Sequence, residues 1–220
     1  MEVHRKIIVY IATSADGYIV RPDGDVAWLE RPRPKGNYGM GEFFKSIDTI
    51  LWGRKTYAKG IEMGMKASLF PSGTKNYVFS RGAADTLVCG VPPGVHFEIV
   101  SEPIQPSAQR LRAAPGKHIW MMGGGIIASF LGAGDIDEFR IHVLPVLIGE
   151  GIPLIAPRHR LVRLKLLAVE TFPDGVVRLN YSVNRSSWPS KRTRAVPLHW
   201  PLTNPDGSGS GHSRQRKMRV

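Results

Sequence analysis

The sequence has a single cysteine, Cys89, in 220 residues. One thiol excludes a disulfide framework and a cysteine-built metal cluster, and leaves Cys89 as a small packed side chain. No apolar run approaches the roughly 18–20 residues of a membrane helix, so no membrane role is expected. The opening segment Met1–Lys6 lacks the apolar stretch and small-residue cleavage site of a secretory signal. A cytoplasmic location is the expectation. Several catalytic signatures are also missing: there is no G-x-S-x-G elbow, no H-E-x-x-H pair and no Walker A loop. The seven histidines (His4, His96, His118, His142, His159, His199 and His212) show no metal-ligand spacing. His118 and His142 fall in predicted strands and read as satisfied core or edge positions.

Basic charge is abundant and unevenly spread. The formal net charge is +12. Residues Arg185–Val220 hold eight Lys/Arg and one acid, giving +7; residues 1–184 keep 22 bases and 17 acids, giving +5. The C-terminal stretch mixes Pro, Ser, Gly and bases without apolar periodicity. It includes Gly207–Gly211 and the isolated Trp188 and Trp200. Such a composition predicts a disordered tail over 185–220 behind one folded domain over 1–184. The residual positive balance of the body suits an anionic ligand.

Within the body, strand and helix signals alternate. Arg5–Ala12 reads as a buried strand, followed by a turn-rich loop over Thr13–Gly17. Arg21–Gly36 carries glycine and proline breakers among charges and reads as a long irregular loop, a type of segment that is often functional. Glu42–Ile47 resembles a helix end. Asp48–Trp52 is a strand, and Gly53 opens a helix from Arg54 to about Glu62. Asn76–Ser80 and Val95–Val100 are strands, and Ser107–Ala113 is a helix bounded by Pro106 and Pro115. His118–Met122 is a strand, Ile126–Leu131 a helix and Asp137–Leu147 a long strand. Leu164–Thr171 and Val176–Val183 flank the turn signal Pro173-Asp174-Gly175. The order predicts an α/β fold: a mostly parallel central sheet with flanking helices, closed by a C-terminal antiparallel hairpin.

Three strand ends carry chemistry. Gly123-Gly124-Gly125 lies between a strand and a helix, where glycine allows close backbone approach and a helix N-terminus attracts phosphate. Gly53-Arg54-Lys55-Thr56 opens another helix with two cations, which oppose the helix dipole unless an anion is bound. Ser80-Arg81 adds a hydroxyl and a guanidinium fork after a third strand. Ligands of open α/β sheets gather at strand carboxyl ends, so these junctions point to a pyrophosphate plus a further phosphate, as in NADPH.

Together with these junctions, Ala12–Ile19 (ATSADGYI), Asp25–Leu29 (DVAWL) and Pro145–Leu154 (PVLIGEGIPL) carry a resemblance to a known family. The region from about Lys6 to Val183 resembles the dihydrofolate reductase superfamily. The similarity is to the branch of the C-terminal reductase domain of riboflavin-biosynthesis deaminase-reductases (RibD). The resemblance implies an NADPH-dependent oxidoreductase that passes hydride to a small heterocyclic or sugar-like substrate, as the 5-amino-6-(5-phosphoribosylamino)uracil and dihydrofolate reductases do. It implies nicotinamide contacts from Ile11 and Ala12, and a loop at Asp16 and Gly17 closing over the cofactor. Phosphate and ribose contacts would come from Gly53, Arg54, Lys55, Thr56, Ser80 and Arg81. Met122, Gly123, Gly124, Gly125, Ile126 and Ile127 would form the glycine stretch and second helix start. Dihydrofolate reductases hold a carboxylate where this chain has Asn37–Met40, and none of these residues is acidic. Glu42 and Asp25 are the nearest candidate proton donors, and Trp28, Phe44 and Leu51 the candidate substrate wall. Relatives of this type often pair as dimers. Two alternatives stay open: a nucleotide-binding member without turnover, and a nucleic-acid-associated protein acting through its basic tail.

Overall fold

The computed structural model describes residues 5–64, 72–80, 97–156 and 161–184. Arg81, Cys89, the start of the predicted strand at residues 95–96, and the tail 185–220 lie outside the described residues. So do the five histidines other than His118 and His142.

Eight strands form one sheet: β1 (Ile7–Thr13), β3 (Ile47–Gly53), β4 (Lys75–Phe79), β5 (Phe97–Val100), β6 (His118–Met122), β7 (Glu138–Val143), β9 (Leu164–Thr171) and β10 (Val177–Val183). Their spatial order is β5-β4-β3-β6-β1-β7-β10-β9. Pairing is parallel from β5 through β7 and antiparallel at β7–β10 and β10–β9. The predicted fold class, a mostly parallel sheet ending in an antiparallel hairpin, is what forms. A second, two-stranded sheet pairs β2 (Tyr18–Val20) with β8 (Ile152–Pro153). Segments of two or three residues carry no readable period, which is why the sequence did not announce them.

The continuous apolar runs of β1, β3 and β6 exist because both faces of the sheet are covered. Alternation along β1 divides them. Ile7 and Val9 pack with Leu51, Ile119 and Met121 against α3 (Ile104–Ala113) and α4 (Gly124–Ala133). Ile8 and Tyr10 pack with Ile50, Trp52 and Trp120 against α1 (Met40–Lys45) and α2 (Arg54–Glu62). The two helix pairs thus lie on opposite faces, matching the opposite directions in which the chain crosses the sheet before β5 and after it.

Two boundaries differ from expectation. Pro106 lies inside α3 rather than before it. It is the third helical residue, where the missing N–H has no intrahelical acceptor to lose. β7 stops at Val143, short of the predicted Leu147. Leu144 still donates to the Thr13 carbonyl at 2.8 Å, but Pro145 then removes a ladder donor and turns the chain toward the β1–β2 loop.

Candidate active site

The chain leaves β1 toward α1 on one face of the sheet and leaves β6 toward α4 on the other. β1 and β6 are adjacent parallel strands. Where neighbouring strands send their chains to opposite faces, a crevice opens at the carboxyl ends, and in open α/β sheets that crevice is where ligands bind. Its lips here are Ile11–Ala12 and Met122–Gly123.

On the far side of Gly123 lies a cleft of about 740 Å³, lined by Gly53, Arg54, Lys55, Thr56, Ser80, Gly125 and Ile126 with Ser101, Glu102 and Ile104. Both α2 and α4 begin without a side-chain cap and without an acid in the first turn. Their first N–H groups therefore present partial positive charge to the cleft. Among the described residues of the lining the single acid is Glu102; it is held by Arg110 at 2.5 Å, and that hydrogen bond lowers its carboxyl pKa. Gly123 joins the two helix starts. Its φ of +110° suits only glycine, and a Cβ there would overlap the Thr56 hydroxyl and stand 3.6 Å from the Gly53 nitrogen. The triple glycine thus lets the start of α4 nest against the start of α2.

On the near side lies a smaller cavity of about 320 Å³. Its apolar wall includes Ile11, Trp120, Met122, Leu144 and Val176, and its polar lining is Tyr10, Arg31, Arg33, Asn37, Tyr38 and His142. Residues 36–39 all have positive φ: Gly36 at 86°, Asn37 at 47°, Tyr38 at 56° and Gly39 at 76°. Left-handed backbone costs an ordinary residue roughly 1–2 kcal/mol, so the turn must be held from outside. The holding groups come from the C-terminal hairpin. Arg178 donates to the Tyr38 carbonyl at 2.9 Å, and the Tyr38 hydroxyl donates to the Asp174 carboxylate. Arg31 reaches Asp174 as well, at 3.3 Å from its carboxylate and 2.5 Å from its carbonyl.

Beneath that turn the Tyr10 hydroxyl stands 3.2 Å from the Tyr38 carbonyl and 3.3 Å from His142 Nε2. Burial pushes the Tyr10 phenol up to about 12, against the opposing pull of Arg178 and Arg140. Burial drives His142 down to about 4, with hydrogen bonds to the Tyr38 and Ile11 backbone only partly offsetting it. At neutral pH both rings are uncharged.

The residues singled out in the sequence fall in distinct places. Gly53, Arg54, Lys55, Thr56, Ser80, Gly125 and Ile126 line the larger cleft; Ile11, Ala12 and Met122 line the smaller cavity. Gly123 and Gly124 form the ridge between them, and Ile127 is buried core beneath. Asp16 and Gly17 line neither cavity. The Asp16 carboxylate instead accepts the Ile148 and Gly149 N–H groups, at 3.2 and 2.8 Å, pinning the β1–β2 loop to residues 146–149. The candidate proton donors, Glu42 and Asp25, are not among the residues lining either cavity. Glu42 is exposed on α1 and paired with Lys45 at 2.8 Å, because its helix turns its apolar side, led by Phe43, to the sheet. Asp25 accepts the Ala27 N–H at 3.1 Å at the start of a short helical turn, outside both cavities. The candidate substrate wall, Trp28, Phe44 and Leu51, is likewise absent from the lining of both cavities. Leu51 is wholly buried in the core because β3 is a central strand. Phe44 packs behind Trp120, with ring centroids 5.6 Å apart. Trp28 sits one residue before the cavity-lining Leu29, its indole N–H buried without a partner. The sequence reading missed Tyr10, Tyr38, His142 and Trp120 as lining residues. Tyr38 alone carried a signal, through the acid-free Asn37–Met40 stretch.

Comparison with known proteins agrees with this architecture. Residues 96–178 match the RibD C-terminal domain family. The uncharacterised protein YwjB of Bacillus subtilis strain 168 is 33% identical over 176 residues, covering 79% of this chain and 96% of YwjB. A solved protein of Shewanella sp. PV-4, assigned to riboflavin biosynthesis, superposes with a TM-score of 0.70 at 26% identity, over 81% of this chain and 99% of its own. Dihydrofolate reductase of Enterococcus faecalis, solved with NADP(H), shares the fold alone, with a TM-score of 0.54 at 14% identity over 83% of this chain and 99% of its own. The chain belongs to the RibD C-terminal domain family and has the dihydrofolate reductase fold.

Proposed function

We propose that the chain is an NADPH-dependent reductase of a small heterocyclic or sugar-like molecule. One observation carries the reading: a cationic cleft at two uncapped helix starts adjoins a separate, partly apolar cavity across the β1–β6 crevice. The residues fit a dinucleotide phosphate. Arg54, Lys55 and the first N–H groups of α2 and α4 supply positive charge for its phosphates, and Thr56 and Ser80 supply hydroxyls. Gly125 leaves open backbone for close approach, since a Cβ there would meet nothing within 4 Å. When bound, the dihydronicotinamide supplies a hydride. The chain orients the acceptor: Ile11, Ala12 and Met122 floor the meeting point, and Trp120, Leu144 and Val176 shield it from water. A homodimer belongs to the same reading and rests on the exposed apolar edge strand β9.

Titration calorimetry with NADPH and NADH tests the proposal. NADPH is expected to bind clearly more tightly than NADH. Arg54→Ala combined with Lys55→Ala should weaken NADPH about 10–100-fold, the loss of charge-assisted hydrogen bonds to phosphate. Absence of binding by either nucleotide at about 50 micromolar, some 6 kcal/mol of affinity, refutes it.

A further inference from the structure

We infer that Tyr10 is the group that delivers the proton in the smaller cavity, with His142 and Arg178 as its positioning residues. The inference rests on the reductase reading above and adds the acid that reading lacks.

Among the described residues, the cavity lining contains no carboxylate. Its groups with a transferable proton are therefore few. Arg31 and Arg33 do not give up protons in proteins. The Tyr38 hydroxyl is turned away, donating to the Asp174 carboxylate. A neutral imidazole N–H is too weak an acid, and buried His142 is neutral. The Tyr10 phenol remains.

Its placement follows from strand register. Ala12 on β1 stands opposite His142 on β7, His142 opposite Arg178 on β10, and Arg178 opposite Glu170 on β9. Directly paired residues share a face, and so do residues two apart on one strand. Tyr10, Ala12, His142 and Arg178 therefore share one face, beside the floor expected to meet the nicotinamide. The Phe43 ring stacks on the Tyr10 ring at 4.2 Å and fixes its plane.

The groups around the hydroxyl suit transient ionisation. His142 Nε2 lies 3.3 Å away and can donate to a phenolate. Arg178, on the shared Tyr38 carbonyl, brings a guanidinium alongside, itself anchored outward on Glu170. Arg140 adds a second cation from β7, and Glu170 is the opposing charge.

The step balances simply. The substrate C=N or C=O carbon would receive a hydride, which carries both electrons of the reduction, from the dihydronicotinamide, which would be oxidised by two electrons. The heteroatom takes the Tyr10 proton: the Oη–H bond breaks and an N–H or O–H bond forms. Water entering the cavity reprotonates the phenolate. A phenol that holds its proton to high pH stays loaded throughout the working range, unlike a carboxylic acid.

The test uses the full chain with NADPH and a probe panel of a pteridine dione, dihydrofolate and an aromatic ortho-quinone. Tyr10→Phe should lower kcat by about 100-fold or more, the usual contribution of a positioned acid. NADP⁺ affinity should stay within about twofold, because Tyr10 is outside the cleft. Binding of the fluorescent pteridine dione to the NADP⁺ complex should weaken about 5–10-fold, the equivalent of one lost hydrogen bond. Tyr10→difluorotyrosine keeps the ring and its packing, and should move the alkaline limb of the pH–rate profile downward. Full kcat and full dione affinity in Tyr10→Phe overturn the inference while leaving the reductase reading intact. An unmoved alkaline limb in the difluorotyrosine protein does the same if Tyr10→Phe fails to fold. Failure of the unmodified chain to oxidise NADPH with any probe removes both.

Discussion

The two ends of the triple glycine should respond in opposite ways to the same substitution. Gly123 has φ +110°, and an added Cβ would overlap the Thr56 hydroxyl and press on Thr56 Cβ at 3.2 Å. The backbone conformation alone costs an ordinary residue of order 1–3 kcal/mol. Overpacking against the start of α2 adds about 1–3 kcal/mol. Gly123→Ala should therefore lose about 2–6 kcal/mol, a fall in Tm of roughly 5–20 °C for a domain of this size. Gly125 differs. It is the second residue of α4, has ordinary backbone angles, and its Cβ would meet nothing within 4 Å. Alanine there should stabilise the free protein by about 0.5–1 kcal/mol. In the proposed complex, however, the same methyl group enters the space through which the nucleotide approaches the backbone. Gly125→Ala should weaken NADPH about tenfold or more, roughly 1.4 kcal/mol, with Tm unchanged or raised. Thermal melts without nucleotide and calorimetry with it separate the two effects. Undiminished NADPH affinity in Gly125→Ala would show that the ligand does not approach this backbone. Equal destabilisation by both substitutions would refute the packing argument.

Three further outcomes are expected. His142 has a folded pKa near 4, below its ordinary 6.5, so the unfolded chain binds the extra proton and stability falls as pH drops from about 6.5 toward 4. The full loss is about 3 kcal/mol, and denaturant titrations of His142→Gln should show a correspondingly flatter acid dependence; identical slopes would contradict it. Arg5 is buried and bonds Asp48, Thr49 and the Leu111 and Lys117 carbonyls at 2.5–2.8 Å. Arg5→Met should cost about 3–5 kcal/mol by stranding a partly buried carboxylate, yet leave NADPH affinity unchanged because the cluster lies at the opposite end of the sheet. Leu164, Leu166, Leu167 and Val169 expose about half their surface on both faces of edge strand β9. Leu166→Lys with Val169→Lys should give a monomer by sedimentation where the unmodified chain sediments as a dimer; an unmodified monomer would rule out the pairing.

The fold was legible because its signals are local. Gly53 before Arg54–Glu62, the apolar run at His118–Met122 and the turn at Asp174–Gly175 are each specified by residues a few positions apart, and the structure has each where the local pattern puts it. The larger cleft was legible for the same reason, since Gly53–Thr56 and Gly123–Ile126 are continuous segments at strand ends. The smaller cavity was not. Tyr10, Tyr38 and His142 come from three separate segments, joined only by the β1–β7 register and by a left-handed turn that Arg178 and Asp174 hold from the hairpin. The search for a carboxylate led to Glu42 and Asp25 because nearness in sequence was the only measure at hand.

Charge pairing concentrates the modest positive balance of the body, 22 bases against 17 acids, at the crevice. The acids around it are already engaged: Glu102 by Arg110, Asp174 by Arg31, Glu170 by Arg178, and Asp16 by two backbone N–H groups. Arg54 and Lys55 take part in none of the ion pairs among the described residues, and they sit exposed at a helix start that gains nothing from their charge. An unpaired cation there costs little in water and gains most when a phosphate replaces the solvent. The smaller cavity is a poor host for a cationic ring, because among the described residues no carboxylate lines it and two guanidinium groups do. Its donors, the Tyr10 phenol, the Asn37 amide and two guanidinium groups, favour a molecule rich in acceptor oxygens and nitrogens. Protonation by Tyr10 then fits an acceptor that arrives neutral and becomes basic only once hydride has reached it.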